Sequence, residues 1–219
     1  MGQYHFTNAI GGFFEMPSQH AKALLPKGME PVEPHPGVSL LSLMVFDFHS
    51  SEVGPYCETV LSILVPPRLR ANQKFPKAGL YPFQVATSTA VSREHGIECY
   101  RLPHFPEDIS VKWHPGDKTL GAEILSGGEV AIQLTISDHQ RTPVSDLYHV
   151  FIEDSTGRYL SDGTFEGNLC DHEEELGSIR LFDTPFTSCL PIADVSTTPF
   201  REQWMTDGTE TLAPLVKLG

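Results

Sequence analysis

The sequence predicts a mainly β protein with a few short helices, an α+β chain, and three observations carry that reading. Apolar or alternating runs of strand length recur along the chain. Turn signals separate them at short intervals: His114-Pro115-Gly116-Asp117, Ser126-Gly127-Gly128 and Ser155-Thr156-Gly157-Arg158. Convincing helical periodicity is confined to short stretches. Turns this regular imply antiparallel hairpins in a sheet that closes or folds over. No internal repeat or linker divides the chain, so residues 1–219 are expected to form one domain.

The elements follow in order. Residues 4–16 are expected to be extended. Ser18 to Leu25 carries Ala21, Leu24 and Leu25 on one side and ends at Pro26 and Gly28, which predicts a short helix. Residues 30–37 form a proline-dense connector. Val38 to Phe48 is so continuously apolar that both faces of its strand should be covered. The turn at Gly54-Pro55 leads through Tyr56, Cys57 and Glu58 into a β-branched strand stopped by Pro66-Pro67. A basic loop, 66–79, precedes a strand from Tyr81 to Ser92 and a short helix or turn from Arg93. Strands are then expected at 109–113, 119–125, 129–137, 147–153 and 178–182. The acidic stretch from Asp162 to Gly177, with Asp171-His172-Glu173-Glu174-Glu175, is expected to be an exposed, solvated loop.

Charge and composition exclude several classes of function. A net charge of −13 without a basic run argues against nucleic acid, whose phosphates need clustered Lys and Arg. No apolar run reaches the length of a membrane span, and the first residues lack a basic and apolar leader, so a cytoplasmic protein is expected. The four cysteines, Cys57, Cys99, Cys170 and Cys189, are scattered without a Cys-x-x-Cys pair and are expected to be reduced thiols. The histidines lack ligand spacing, so neither a metal nor another cofactor is expected.

Glu58 is the leading candidate for chemistry, because a carboxylate at the mouth of a buried strand is costly unless something holds or uses it. Its context carries a resemblance. Gly54-Pro55-Tyr56-Cys57-Glu58 follows a hydrophobic strand; Ala90-Val91-Ser92-Arg93-Glu94 and Leu102-Pro103-His104 come later; Leu181-Phe182-Asp183 and Leu190-Pro191-Ile192 come near the end. In this order the chain resembles the acetoacetate decarboxylase-like superfamily over about residues 15–215.

The resemblance implies a closed, cone-shaped antiparallel β-sheet enclosing a pocket for a small-molecule substrate, with a homo-oligomer possible. In the decarboxylase a lysine following a proline forms a Schiff base with the substrate ketone, and a second lysine tunes it. This chain has Pro103, His104 and Phe105 there, and no arginine or lysine in residues 3–15. It therefore resembles a divergent member without the Schiff-base lysine. Lys77, in Phe75-Pro76-Lys77, and Lys112 are the candidates for a relocated amine. Imidazole acts as acid or base near neutrality, so Glu58 and His104 are the expected catalytic pair. Tyr56, Arg93, Glu94, Tyr100 and Arg101 are the expected substrate-binding residues. The expected activity is a cofactor-independent lyase, isomerase or cyclase step on a carbonyl-containing polyketide- or terpenoid-like intermediate. The alternatives are a non-catalytic small-ligand binding protein and a β-keto acid decarboxylase with a relocated lysine.

Overall fold

Alternation of side chains along the strands builds two faces, and both are used. In a computed structural model that describes residues 2–71 and 73–218, the chain runs through twelve strands. Residues 1, 72 and 219 lie outside the described residues; they are the two ends of the expected domain and one position of the expected 66–79 loop. The strands are β1 (Gly2–Pro17), β2 (Val38–Ser50), β3 (Tyr56–Val65), β4 (Ala78–Thr87), β5 (Ile109–Pro115), β6 (Thr119–Ser126), β7 (Glu129–Ser137), β8 (Arg141–Asp154), β9 (Gly157–His172), β10 (Ser178–Leu181), β11 (Pro199–Leu212) and β12 (Val216–Lys217). The helices are α1 (Ser18–Leu24) and α2 (Ala90–Tyr100).

Seven strands close a barrel in the order β11-β1-β2-β3-β4-β8-β9, with β9 pairing back onto β11. One pairing departs from the expected antiparallel pattern: β4 meets β8 in parallel at Ala78–Leu80. The second sheet, β10-β7-β6-β5, packs against the outside of the barrel.

The apolarity of β2 has the expected cause. Leu41, Leu43 and Val45 face outward into the core shared with Ile124, Ile132 and Leu134 of the second sheet. Met44, Phe46 and Phe48 face inward and meet Phe6, Tyr56 and Met205. Gly208 on β11 leaves room for the Phe6 ring, whose nearest atom lies 2.3 Å from where a Cβ would stand.

Two expectations are corrected by the geometry. Asp162–His172 is not a loop but the second half of β9. Its acids and glycines mask a period of two in which Phe165 and Leu169 point to the barrel interior. Its acids are held rather than merely solvated: Asp171 binds the Arg201 guanidinium and also Lys77 at 2.9 Å. The strand expected over 81–92 stops at Thr87, because the Thr89 hydroxyl accepts from the Ser92 N–H (3.2 Å) and starts α2. The extended segment 199–212, for which no strand was expected, is β11.

Glu202 ties the barrel to what covers it. Its carboxylate is fully buried and accepts from the Ser137 N–H (2.7 Å), the Ser137 hydroxyl (2.8 Å) and the N–H groups of Leu176 and Gly177 (both 2.8 Å). Glu202→Ala leaves the buried N–H groups of Ser137 and Gly177 without a partner, at ~1–3 kcal/mol each. Chemical denaturation should show a loss of several kcal/mol, larger than for alanine at neighbouring exposed positions of β11.

Candidate active site

The upper part of the barrel lumen gathers two acids and three phenols. Cross-strand register explains how. Glu58 lies opposite Phe46 of β2 and Thr87 of β4, and Tyr56 lies opposite Phe48. On the other side, Glu210 of β11 lies opposite Tyr4 of β1 and Phe165 of β9. Opposed residues share a face, so Glu58 and Glu210 both face the lumen. The end of α2 adds Tyr100, whose hydroxyl accepts from the Gly2 N–H at 3.0 Å. The Tyr4 hydroxyl is hydrogen-bonded to His95 Nε2 at 2.8 Å. Phe6, Phe46 and Phe48 complete an aromatic box.

Among the described residues, no lysine or arginine enters this box. Burial raises the Glu58 carboxyl to about 8. Burial first, and then the charge of Glu58, raises Glu210 well above the usual carboxylate range. Glu58 keeps part of its residue surface accessible although its carboxyl lies deep. Among the described residues, neither carboxylate has a hydrogen-bond partner. Burial, followed by the neighbouring phenol for Tyr4 and by Glu58 for Tyr56, raises both phenols, which stay protonated donors. Near neutral pH the box thus holds one carboxyl poised between its two forms, a second whose ionisation is opposed by burial and by the charge of Glu58, and phenolic O–H groups. That is the equipment for moving a proton at a carbon next to a carbonyl while hydrogen bonds hold the oxygen.

Below the box the lumen continues as a cavity of about 50 Å³ lined by Met44, Phe46, Tyr148, Phe165, Gln203 and Met205, among others. Each enclosed water takes at least ~10–15 Å³ on this measure, so the space is that of a few waters.

The structure brings Tyr56, Glu58 and Tyr100 together. It places His104 in a different setting. The upper edge of β4 has no strand beside it, and residues 103–105 fill that edge: Val85 donates to Pro103 O (3.0 Å) and Phe105 donates to Val85 O (2.7 Å). This packs the His104 ring on α2 at Gly96, where a Cβ would stand 2.2 Å from Nε2. Burial, with the Arg93 charge adding, lowers the imidazole to about 4, so it is neutral at pH 7. Among the described residues, both ring nitrogens are buried without a partner. Gly96→Ala must displace this ring, and a loss of about 1–3 kcal/mol in stability is expected on denaturation.

The other expected binding residues point elsewhere. Arg93 is ion-paired with Asp108, and Glu94 is exposed. Arg101 caps α2 in the left-handed region (φ 56°), pairs with Asp154 and lies over the Tyr159 ring at 4.6 Å. All seven lysines are exposed. Lys77 binds Asp146 and Asp171, each at 2.9 Å. Burial pulls its amine down, but Tyr148 and the two aspartates outweigh that and raise it. Lys112 lies on β5 in the outer sheet, 3.6 Å from Glu123.

Sequence reasoning missed Tyr4, His95 and Glu210. The available signal was a lone acid in Thr209-Glu210-Thr211-Leu212, a run of strand formers after Trp204-Met205.

Among solved structures, the chain is similar to an acetoacetate decarboxylase at 14% identity and a TM-score of 0.63, covering 98% of this chain and 89% of that one. It is also similar to the enduracididine biosynthesis enzyme MppR complexed with pyruvate, at 13% identity and a TM-score of 0.60, covering 100% and 91%. An acetoacetate decarboxylase-like enzyme from Sphingomonas wittichii RW1 matches at 15% identity and a TM-score of 0.57, covering 99% and 92%. No family model matches, and no curated protein matches. These likenesses establish an acetoacetate-decarboxylase-like fold. No helix of the described residues is long and apolar enough to cross a membrane.

Proposed function

We propose that this chain, with its acetoacetate-decarboxylase-like fold, is a small-molecule enzyme that moves protons next to a carbonyl without a Schiff base. Glu58 takes the α-proton, Tyr56 and Tyr100 donate to the oxygen as it gains charge, and Glu210 supplies an acid. The reaction is then an isomerisation, an elimination or a cyclisation, according to what the enol does next. The observation that carries this reading is the pair Glu58 and Glu210 buried together in an aromatic box that, among the described residues, no lysine or arginine enters.

The apolar walls suit a polyketide- or terpenoid-like carbonyl intermediate, and the small cavity favours its shorter members. His104 remains in the reading as a neutral imidazole at the edge of β4, which acts on a substrate only if the ring moves off Gly96. Four free cysteines fit a reducing compartment, which supports a cytoplasmic setting.

The position of the lysines argues against imine chemistry, since a nucleophilic amine needs a lowered pKa and a place at the substrate. Borohydride treatment with a β-keto acid or a simple ketone should leave the protein unlabelled by mass spectrometry; a label on Lys77 or Lys112 would restore the decarboxylase reading. The direct test is α-proton exchange of small ketones in D2O, followed by NMR. The wild type should accelerate exchange. If Glu58→Gln and His104→Ala both retain full exchange, the acid–base assignment fails.

A further inference from the structure

We propose that the lumen selects a small organic cation, an amine- or iminium-bearing carbonyl compound, and rejects carboxylates. This rests on the reading above that the lumen is the substrate site, and it narrows the class of substrate.

The first ground is the charge inventory of the lumen. Glu58 and Glu210 face it from β3 and β11, and no lysine or arginine contributes to the electrostatics of either. Glu210 is only 9% exposed and, among the described residues, accepts no hydrogen bond. Such a carboxyl is expensive unless it stays protonated or meets a cation. The basic groups nearest the lower cavity are already neutralised: Lys77 by Asp146 and Asp171, Arg201 by Asp171 and Glu173. A carboxylate ligand entering here meets two acids and, among the described residues, no free guanidinium or lysine amine.

The second ground is the wall. Tyr4, Phe6, Phe46, Phe48, Tyr56 and Tyr100 gather in one buried cluster on the face that carries Glu58 and Glu210, and Phe46 continues into the cavity wall. Aromatic faces attract cations, most strongly where water is excluded. An aromatic box holding acids is complementary to an ammonium group and hostile to an anion of the same size.

The proposal has a thermodynamic signature. As the cation enters, it favours the ionised form of Glu58; the O–H bond of the acid breaks and its proton leaves to solvent. Binding therefore releases protons, and nothing is oxidised or reduced.

Isothermal titration calorimetry on the full chain tests this with three probes of similar shape: tetramethylammonium, tert-butyl alcohol and pivalate, in 0.15 M salt and in two buffers of different ionisation enthalpy. Tetramethylammonium should bind at least tenfold more tightly than pivalate, with a buffer-dependent heat that reports proton release at pH 7. Both the preference and the proton release should vanish in Glu58→Gln/Glu210→Gln, and Glu210→Gln alone should weaken them. Pivalate binding as tightly as the cation overturns the proposal. So does a preference unchanged in the double variant, which would locate the cation on the acidic surface, and so does the absence of binding by all three probes. Ketone exchange that still depends on Glu58 would leave the proton-transfer reading standing while this one falls.

Discussion

Replacing Glu58 by glutamine is expected to lower kcat/KM for an enolisable carbonyl substrate by about 10²- to 10⁴-fold, the usual contribution of a positioned general base. The isostere keeps the volume and the lumen-facing polar tip, so the loss reports the missing base rather than a collapsed box. The pH profile gives the sign. A base works in its ionised form, and burial holds the Glu58 carboxyl at about 8. The wild-type kcat/KM should rise with pH through about 8 and level off above it. In Glu58→Gln that rising limb should be absent. Tyr56→Phe should reduce kcat while leaving the limb in place, since the phenol donates but does not take the proton. A wild-type profile flat from pH 6 to 9 would remove Glu58 as the base.

The second large effect is on stability, with the opposite sign at the same residue. In the folded state Glu58 keeps its proton up to about pH 8, whereas in the unfolded chain it ionises near 4.5. Between those values the native state binds more protons, so stability is full below pH 4.5 and falls as pH rises through the window. The slope is ~1.4 kcal/mol per pH unit for one such group. Surface that Glu58 keeps accessible recovers part of this, which leaves an expected loss of a few kcal/mol by pH 8.5. Glu210, raised by the same burial and by the charge of Glu58, adds a fall of the same sign. Urea denaturation at pH 5 and pH 8.5 should show both proteins weaker at the higher pH, because Glu210 is raised in each, with the wild type losing clearly more than Glu58→Gln. The variant would then be the more stable protein at pH 8.5 and the less active one at every pH. That is the pattern expected of a group held for chemistry rather than for the fold. Equal pH dependence in both proteins would contradict it.

Some of this was legible in the sequence for identifiable reasons. Val38–Phe48 announced a strand covered on both sides because no polar residue interrupts either face for long, and both faces are indeed packed. Glu58 stood out because a single acid interrupts an apolar strand. Tyr56 shares its face through the period of two, and Tyr100 arrives through a helix whose register follows from the Thr89 cap.

What stayed hidden depends on long-range pairing. Glu210 lies in a threonine-rich run whose inward face becomes visible only when β11 pairs with both β1 and β9. Tyr4 joins the site because the barrel closes between the two ends of the chain. The acids of β9 read as solvent-exposed until Lys77 and Arg201, remote in sequence, are placed beside them. His104 illustrates a different limit. Its position after β4 was clear from order alone, but its direction is set by the missing side chain of Gly96.

The central claim is that burial inside the barrel holds the carboxyls of two glutamates well above the usual range, with no lysine or arginine among the described residues to offset it. Carbon-13 NMR of protein labelled at the glutamate carboxyl carbon measures this directly, with Glu58→Gln and Glu210→Gln used to assign the signals. The account predicts two carboxyls that titrate well above the usual carboxylate range, that of Glu58 near pH 8. If every glutamate signal has reached its ionised position by pH 6, the acid pair does not exist in the form described, and the proton-transfer site falls with it.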